Sequence, residues 1–173
     1  MGYTYLFTGT GAGKTTNALG LALRSIGHKN KVVVIQLLKW WKETGEYKAG
    51  EMLKPYYEIY QFGRKGWIGF NNITEEDSTL CKKALEFALE IVKKKKPNLL
   101  VLDEINLALY LKLLSLEEVL NCLNQIMDMS KETDVVLTGR FAPQELIEKV
   151  DFVNEIIDVK HPDKIPTTRG VQY

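Results

Sequence analysis

Short apolar runs alternate with longer amphipathic segments along most of this 173-residue chain. The apolar runs are rich in β-branched and aromatic residues and predict strands at residues 3–8, 31–37, 56–62, 98–103, 134–138 and 152–158. Apolar residues at intervals of three and four predict helices at residues 15–26, 45–53, 74–95, 115–125 and 143–150. Residues 159–173 show no such periodicity and predict an irregular tail.

The alternation of strands and helices predicts an α/β fold with a mostly parallel central sheet and helices on both faces. Residues 31–37 (KVVVIQL) and 98–103 (NLLVLD) are nearly continuous apolar runs, which is typical of strands buried on both faces. Because no repeat or linker interrupts the chain, residues 1–173 are predicted to form a single domain. Ligands of such folds bind at the carboxyl ends of the strands, so polar residues that follow the strands are expected to converge on one edge.

The segment between the first strand and the first helix is rich in glycine, and residues 9–16 read GTGAGKTT. Glycines allow successive N–H groups to turn inward, and together with the start of the next helix they form a nest for anions. Lys14 adds a charge for phosphate oxygens, and the Thr15 hydroxyl is placed to bind Mg²⁺. Thr8 stands at the first glycine of the usual GxxxxGK[ST] pattern, so a chance glycine-rich turn is the alternative. The order of strand, loop and helix favours an ATP-binding P-loop in a P-loop (RecA-like) fold.

Charged residues follow two other predicted strands. Asp103 and Glu104 come directly after a buried strand, where a carboxylate of a P-loop protein binds Mg²⁺ directly or through water. The alternative is the start of a helix, which favours negative charge. Arg140 follows a third strand, and its guanidinium suits phosphate oxygens, although an exposed surface arginine is the alternative. Arg24, on the helix after the loop, is equally consistent with a solvated side chain.

Large aromatic side chains lie in predicted loops near strand ends, namely Trp40, Trp41, Trp67 and Phe70. Aromatic residues in such positions either line a pocket for a flat apolar ligand or seal the core, and both interpretations stay open. His161, in the irregular tail, has the same status, because a lone histidine is more often structural than catalytic.

The composition narrows the class of protein. The chain has 45% hydrophobic residues, 26% charged residues and a net charge of +1. Its nearly neutral net charge gives no reason to expect binding to nucleic acid or to a membrane surface. The basic run 93–96 ends a predicted helix, where cations suit the helix dipole. Cys81 and Cys122 are far apart and predict buried free thiols rather than a zinc site or a disulfide. Without a signal peptide or a membrane-spanning run, a cytoplasmic protein is expected.

Several short elements follow one another in a recognisable order. They are TGTGAGKTT at residues 8–16, Arg24 ahead of Gly27 and His28, QLLK at 36–39, LDEIN at 102–106, LLSLEEV at 113–119, TGR at 138–140, KHP at 160–162 and GVQY at 170–173. In this order they resemble the CobA/CobO/BtuR-type corrinoid adenosyltransferases, also called cob(I)alamin adenosyltransferases. The resemblance covers nearly the whole chain. It departs at Ala12, where the family has a lysine, and at Gln172, where it has an acidic residue.

The resemblance implies transfer of the adenosyl group of ATP to a reduced corrinoid such as cobalamin. Cobalt(I) of the corrinoid attacks C5′ of ATP, and the entire triphosphate is the leaving group. The nucleotide of this family lies reversed relative to that of other P-loop enzymes. The glycine-rich loop is therefore expected to hold the leaving group while the adenosyl end reacts.

The resemblance also implies the roles of individual residues. The implied catalytic residues are Lys14, Arg140 and Glu104, and the implied Mg²⁺ ligands are Thr15 and Glu104 with support from Asp103. The implied ATP-binding residues are Thr8, Gly9, Thr10, Gly11, Ala12, Gly13, Lys14, Thr15, Thr16, Arg24 and Arg140. The implied corrinoid contacts are Trp67, Phe70 and His161. Enzymes of this kind are homodimers and receive electrons from a reduced flavoprotein.

Two other functions compete with this interpretation. A nucleoside kinase of the type II thymidine kinase kind shares a P-loop and an acidic strand end, but it uses a zinc site of four cysteines, and this chain has two. A non-enzymatic ATP-dependent switch is the second alternative, and hydrolysis of ATP to ADP without an acceptor would favour it.

Overall fold

The computed structural model describes residues 1–66, 69–164 and 166–171. Its strands are β1 (Thr4–Thr8), β2 (Val32–Leu37), β3 (Tyr57–Phe62), β4 (Leu99–Asp103), β5 (Asp134–Thr138) and β6 (Phe152–Glu155). They form one sheet in the order β3-β2-β4-β5-β1-β6, and every neighbouring pair within the described residues is parallel. The predicted α/β fold with a mostly parallel sheet is therefore confirmed.

Helices connect the strands. They are α1 (Lys14–Gly27), α2 (Gly45–Met52), α3 (Glu75–Lys95), α4 (Ile105–Tyr110), α5 (Leu116–Met129) and α6 (Gln144–Ile147). The starts of α3 and α5 agree with the sequence, because Thr74 with Asp77 and Ser115 with Glu118 form capping boxes. Helix α4 has no counterpart among the predicted elements, and β6 ends three residues earlier than predicted.

Side chains of the sheet alternate between two hydrophobic cores. On β1, Leu6 belongs to the core that is covered by α3 and α5, whereas the next residue, Phe7, belongs to the core that contains Ala18 and Ala22 of α1. All residues of β2 are buried, which agrees with its continuous apolar sequence. Helices thus lie on both faces of the sheet, and the carboxyl ends of its central strands share one edge.

Other expectations from the composition can be compared with the structure. Both cysteines are buried free thiols, as predicted. The basic run lies in the last turn and at the C-cap of α3. Among the described residues, no helix combines the length and the apolar character that are needed to cross a membrane.

Candidate active site

The glycine-rich loop joins β1 to α1 at the carboxyl edge of the sheet. Gly9 and Gly13 have φ angles of 100° and 112°, in the left-handed region that glycine tolerates best. A Cβ atom on Gly9 would lie 2.3 Å from the carbonyl oxygen of Ile156, and one on Gly11 would lie 2.7 Å from the carbonyl carbon of Ile157. Gly9 is therefore required both by the turn and by the close approach of another segment, Gly11 by the close approach and Gly13 by the turn.

That segment, residues 156–158, leaves the sheet after β6 and runs against the loop. The N–H group of Gly11 donates to the carbonyl oxygen of Ile156 at 2.8 Å, and the N–H group of Ala12 donates to a carboxylate oxygen of Asp158 at 3.1 Å. An anionic group thus already accepts from an N–H group of the loop. The sequence did not assign Asp158 to the site, because the last strand was predicted to continue through this residue.

Lys14 is the first residue of α1, and its side chain folds back over the loop. Its Nζ donates to the carbonyl oxygens of Gly9 (2.9 Å) and Gly11 (2.6 Å), and only 7% of the residue is exposed. Burial lowers the pKa of Lys14 and the charge of Arg140 lowers it further, while the acidic groups of Glu104 and Asp158 oppose this shift. No carboxylate forms an ion pair with Lys14 within the described residues. Its positive charge is therefore available to a phosphate group.

Asp103 ends β4 and is fully buried beside the loop. Its Oδ1 accepts from the hydroxyls of Thr15 (2.8 Å) and Thr138 (2.6 Å), and its Oδ2 accepts from Lys39 Nζ (2.7 Å) and Gln36 Nε2 (3.0 Å). Burial raises the pKa of this carboxyl, but the Lys39 charge and the hydrogen bonds outweigh burial and hold the pKa below its usual range. Asp103 is thus an ionised carboxylate with a partner for each of its lone pairs.

Lys39 contacts Asp103 directly, and two further acidic groups are near enough for their charges to act on it. Burial lowers the pKa of Lys39, but the charge and the hydrogen bond of Asp103, together with the charges of Glu104 and Glu46, raise it above its usual value. The residue before it, Leu38, has a φ angle of 59°, so the chain turns sharply at the end of β2. This turn directs Lys39 back towards the end of β4.

Polar residues continue across the sheet from Asp103. Gln36 lies opposite Asp103 in β4 and opposite Gln61 in β3, and its Oε1 accepts from Gln61 Nε2 at 3.0 Å. With Thr138, these side chains form one hydrogen-bonded row along the ends of β5, β4, β2 and β3. The hydrogen bonds of this row act on both oxygens of Asp103 and hold its carboxylate in a single orientation.

Glu104 differs from Asp103 in having a carboxylate without a partner among the described residues. Its backbone N–H donates to the Thr138 hydroxyl at 3.0 Å, and its φ angle of 65° is uncommon for a residue other than glycine. Burial raises the pKa of Glu104 and the Asp103 charge raises it further, against the lowering effect of nearby cations. Its carboxylate oxygens make no hydrogen bond or ion pair within residues 1–66, 69–164 and 166–171. A strained backbone with a free carboxylate is typical of a functional position.

Arg140 follows β5 and is exposed. The residue before it, Gly139, has a φ angle of 131°, and a Cβ atom there would lie 2.9 Å from the backbone nitrogen of Leu107 in α4. The Gly139 carbonyl oxygen accepts from Asn106 Nδ2 at 3.1 Å. Close packing of α4 against the end of β5 thus fixes the backbone directly before Arg140.

The sequence-predicted site residues fall into three groups. Lys14, Thr15, Asp103 and Glu104 lie together, and Arg140 is near enough for its charge to act on Lys14. Arg24, by contrast, is exposed in the last turn of α1, about 15 Å from Lys14 at the usual rise of an α-helix. The remaining predicted ATP contacts all belong to the loop itself or its flanks, namely Thr8, Gly9, Thr10, Gly11, Ala12, Gly13 and Thr16. These ligand contacts stay predictions.

The predicted corrinoid contacts, unlike the residues around the loop, are not brought together in one place within the described residues. Trp67 lies outside the described residues. His161 is exposed in the tail, where its Nδ1 lies 2.9 Å from the carbonyl oxygen of Pro162. Phe70 is half exposed, and its ring centroid lies 6.4 Å from that of Phe141.

Phe141 and Tyr110 were missed by the sequence analysis. Their ring centroids are 4.4 Å apart, both rings are substantially exposed, and Phe141 follows Arg140 with a φ angle of 60°. A pocket of about 500 Å³ adjoins them and is otherwise lined by Leu109, Lys112, Leu114, Ser115, Leu116 and Pro143. We call Phe70, Tyr110 and Phe141 the aromatic surface. The position of Phe141 directly after the TGR element was the available signal.

The oxygen atoms at the start of α1 and at the end of β4 suit a magnesium ion. Thr15 offers a hydroxyl oxygen, and Asp103 and Glu104 offer carboxylate oxygens. Mg²⁺ prefers oxygen ligands and is usually bound through one or two carboxylates together with substrate phosphates. The residues present therefore fit Mg²⁺ that enters with ATP.

The fold and the site together define a P-loop nucleotide-binding protein. The defining features are a parallel sheet, a glycine-rich loop between β1 and α1, a buried lysine at the start of α1 and acidic residues at the end of β4. A solved structure agrees with this fold. The KaiC-like protein PH0186 of Pyrococcus horikoshii OT3 superposes with a TM-score of 0.60, at 18% sequence identity, over 91% of this chain and 74% of its own.

Sequence comparisons identify the family within this class. The family model described as ATP:corrinoid adenosyltransferase BtuR/CobO/CobP matches residues 1–173. A corrinoid adenosyltransferase of Sinorhizobium sp. is 35% identical over 171 residues, which cover 96% of this chain and 78% of the relative. A corrinoid adenosyltransferase of Escherichia coli K12 is 32% identical over 160 residues, with coverage of 92% and 79%. The chain belongs to the ATP:corrinoid adenosyltransferase family. The predicted enzyme class, with ATP as co-substrate and a corrinoid as acceptor, is confirmed.

Proposed function

We propose that this chain joins cobalt of a reduced corrinoid to C5′ of ATP by using the P-loop to hold the departing tripolyphosphate. The observation that carries this proposal is the environment of the Lys14 ammonium group. Its ammonium group is buried against loop carbonyl oxygens and has no acidic partner within the described residues. A buried cation without a counter-ion favours a ligand with a large negative charge.

The reaction needs charge stabilisation rather than proton transfer. The electron pair of Co(I) forms the Co–C5′ bond while the C5′–O5′ bond breaks, and the bonding pair stays on the oxygen of tripolyphosphate. Negative charge therefore grows on the leaving group, and its proposed stabilisers are Lys14, Arg140 and those N–H groups of the loop that do not already donate to Ile156 and Asp158. Preorganised donors of this kind lower the barrier because they need no reorientation during the reaction.

The proposed Mg²⁺ ligands are Thr15 and Glu104, with Asp103 in support. The carboxylate of Glu104 is free to bind a cation, whereas that of Asp103 already has a donor at each lone pair. When bound, Mg²⁺ supplies positive charge next to the phosphate oxygens. Asp103 orients the Thr15 hydroxyl through the 2.8 Å hydrogen bond and thereby sets where the metal ligand points.

The corrinoid is proposed to dock on the aromatic surface. Phe141 is adjacent to Arg140 in the chain, so the aromatic surface lies beside the proposed leaving-group site. Flat apolar faces pack well on exposed aromatic rings, and a macrocycle presents such a face. Trp67 and His161 stay additional candidates for this contact. The proposals of a homodimer and of a reduced flavoprotein as electron donor rest on the resemblance alone.

Replacing Phe141 with alanine is expected to raise KM for the corrinoid about ten-fold, because the ring provides apolar contact area for the macrocycle. The dissociation constant of MgATP is expected to change by less than about two-fold. Steady-state kinetics with varied cob(I)alamin and equilibrium binding of MgATP measure the two quantities.

Phe152→Ala is the matched control for Phe141→Ala. Phe152 is similarly exposed, but it begins β6 at the opposite edge of the sheet, where it stacks on Tyr5. Equal increases in corrinoid KM for both variants would contradict the docking of the corrinoid on the aromatic surface.

The reaction itself is tested with the unmodified protein, MgATP and chemically reduced cobalamin. We expect tripolyphosphate by ³¹P NMR and a light-sensitive Co–C bond in the visible spectrum. A product limited to ADP and phosphate would contradict the proposal and would favour the kinase or the switch.

A further inference from the structure

Lys39 places a positive charge among the oxygen atoms that are proposed to hold the metal. Its Nζ lies 2.7 Å from Asp103 Oδ2 and 3.4 Å from Thr15 Oγ1. The same Nζ therefore bridges two of the three proposed ligands. In the sequence, Lys39 stands out only as part of the QLLK element, which implies no role of its own for this residue.

The hydrogen bonds of Asp103 show which donor is able to leave. Both oxygens of Asp103 are saturated, so a cation gains a lone pair there only if a donor departs. Gln36 and Thr138 are fully buried within the sheet. Lys39, in contrast, has 27% of its side chain exposed and carries its charge on a flexible four-carbon stem. The fourth donor, Thr15, is uncharged and is itself a proposed metal ligand, so Lys39 is the charged donor that can withdraw without disturbing the sheet.

A receiving position for Lys39 lies nearby. A cleft of about 380 Å³ is lined by Lys39 together with Thr15 and Thr16 of α1 and Glu46 and Ala49 of α2. A triphosphate held by the loop would bring several anionic oxygens to the mouth of this cleft. A short swing would then exchange the carboxylate of Asp103 for a phosphate oxygen, and both are charge-assisted acceptors.

We propose that the Lys39 ammonium is a tethered cation that fills the metal position of the nucleotide-free site, and that binding of ATP with Mg²⁺ moves it from Asp103 to an oxygen of the triphosphate. The exchange keeps Asp103 neutralised at every stage, which matters because an unpaired buried carboxylate is costly. It also adds a second lysine, after Lys14, to the groups that hold the leaving group. This inference rests on the proposed function for the identity of ATP as the ligand.

Replacing Lys39 with methionine tests the exchange through binding, without any turnover. In the absence of nucleotide, Mn²⁺ followed by electron paramagnetic resonance is expected to bind Lys39→Met at least about ten-fold more tightly than the unmodified protein, because the tethered cation no longer competes. In EDTA, ATP alone is expected to bind the variant about ten-fold more weakly, because a charge-assisted contact to the triphosphate is lost.

Lys42→Met is the matched control, because Lys42 lies three residues further on and places its Nζ 5.7 Å from the centroid of the Tyr47 ring, away from Asp103. It is expected to leave both binding constants within about two-fold of the unmodified protein. If Lys39→Met leaves Mn²⁺ binding unchanged, Lys39 does not occupy the metal position and the proposal is overturned. If ATP binding in EDTA is unchanged, Lys39 does not move to the triphosphate, and the proposal is likewise overturned.

A second measurement uses the unmodified protein, in case Lys39→Met does not fold. Crystal structures with bound ATP, in EDTA and in Mg²⁺, are expected to place Lys39 Nζ within hydrogen-bond distance of a phosphate oxygen. In the structure with Mg²⁺, the contact between Lys39 and Asp103 is expected to be broken. An intact ion pair with Asp103 in both structures would overturn the proposal. Neither the binding measurements nor the crystal structures depend on corrinoid turnover. Failure of the adenosyl transfer assay would therefore contradict the proposed function without contradicting the exchange.

Discussion

Replacing Lys14 with alanine is expected to lower kcat/KM for MgATP about 1,000-fold in the adenosyl transfer assay. Lys14 is the cation that the fold holds closest to the loop, with Nζ bonded to the carbonyl oxygens of Gly9 and Gly11. During the reaction, negative charge accumulates on tripolyphosphate, and a buried positive charge stabilises it more strongly than an exposed one would. The loss should therefore appear in kcat as well as in nucleotide binding.

The assay for Lys14→Ala follows formation of the Co–C bond with saturating reduced cobalamin and varied MgATP. Lys83→Ala serves as a control, because Lys83 is an exposed lysine of α3 on the other side of the molecule from α1. It is expected to keep near-normal activity. Near-normal activity of Lys14→Ala would show that the glycine-rich loop is not the site of the leaving group.

Replacing Asp103 with asparagine is expected to lower activity at least about 100-fold and the free energy of unfolding by about 2–4 kcal/mol. An asparagine amide accepts at one atom only, so two of the four donors around residue 103 would face an NH₂ group. Lys39 would lose its counter-ion, although its partial exposure to water limits that cost. Thermal unfolding would show a midpoint lower by about 5–12 °C.

The pH dependence of the free energy of unfolding distinguishes the effect of the Asp103 charge from the effect of its hydrogen-bond geometry. Because the pKa of Asp103 is lowered in the folded protein, its carboxylate stabilises the fold above the unfolded pKa of about 3.9, and this contribution is lost as the pH falls through the folded value. The difference between Asp103→Asn and the unmodified protein is therefore expected to be constant from about pH 5 to 8 and to shrink below about pH 4.

Asp134→Asn is the matched control for Asp103→Asn. Asp134 starts β5 at the opposite edge of the sheet, and in the described part of the chain its side chain accepts one hydrogen bond, from the N–H group of Tyr3 at 2.8 Å. Its replacement is expected to change the free energy of unfolding by less than about 1 kcal/mol and to leave activity intact. Equal losses of stability in the two variants would show that the hydrogen-bonded row around Asp103 has no special role.

The strands and capped helices could be predicted because their signals are local. A continuous apolar run defines β2, and the pair of Ser115 and Glu118 defines the start of α5. Helix α4 was missed because all residues from Ile105 to Leu109 are buried, so no polar face creates a periodic pattern. The end of β6 was misplaced because Ile156 and Ile157 continue the apolar pattern of the strand, yet residues 156–158 pack against the loop instead.

Some residues of the candidate site could likewise be predicted from local sequence, whereas others could not. Gly13, Lys14 and Thr15 are adjacent in the chain, and their spacing identifies a phosphate-binding loop without any structure. The pair of Lys39 and Asp103 joins residues that are 64 positions apart, and the contact between Tyr110 and Phe141 likewise joins separate segments. No local pattern encodes such pairs, because they depend on which strands become neighbours.

The sequence by itself therefore determined the class of this protein, its parallel α/β elements and the loop from which its chemistry was predicted. Backbone propensity, capping and motif spacing act over a few residues, and these are readable in the chain. The tertiary structure alone decided that β4 lies between β2 and β5, which places Lys39 and Thr138 on the same carboxylate. It also brought Asp158 to the loop and Phe141 beside Tyr110. These contacts arise from the order and register of the strands, which long-range packing sets.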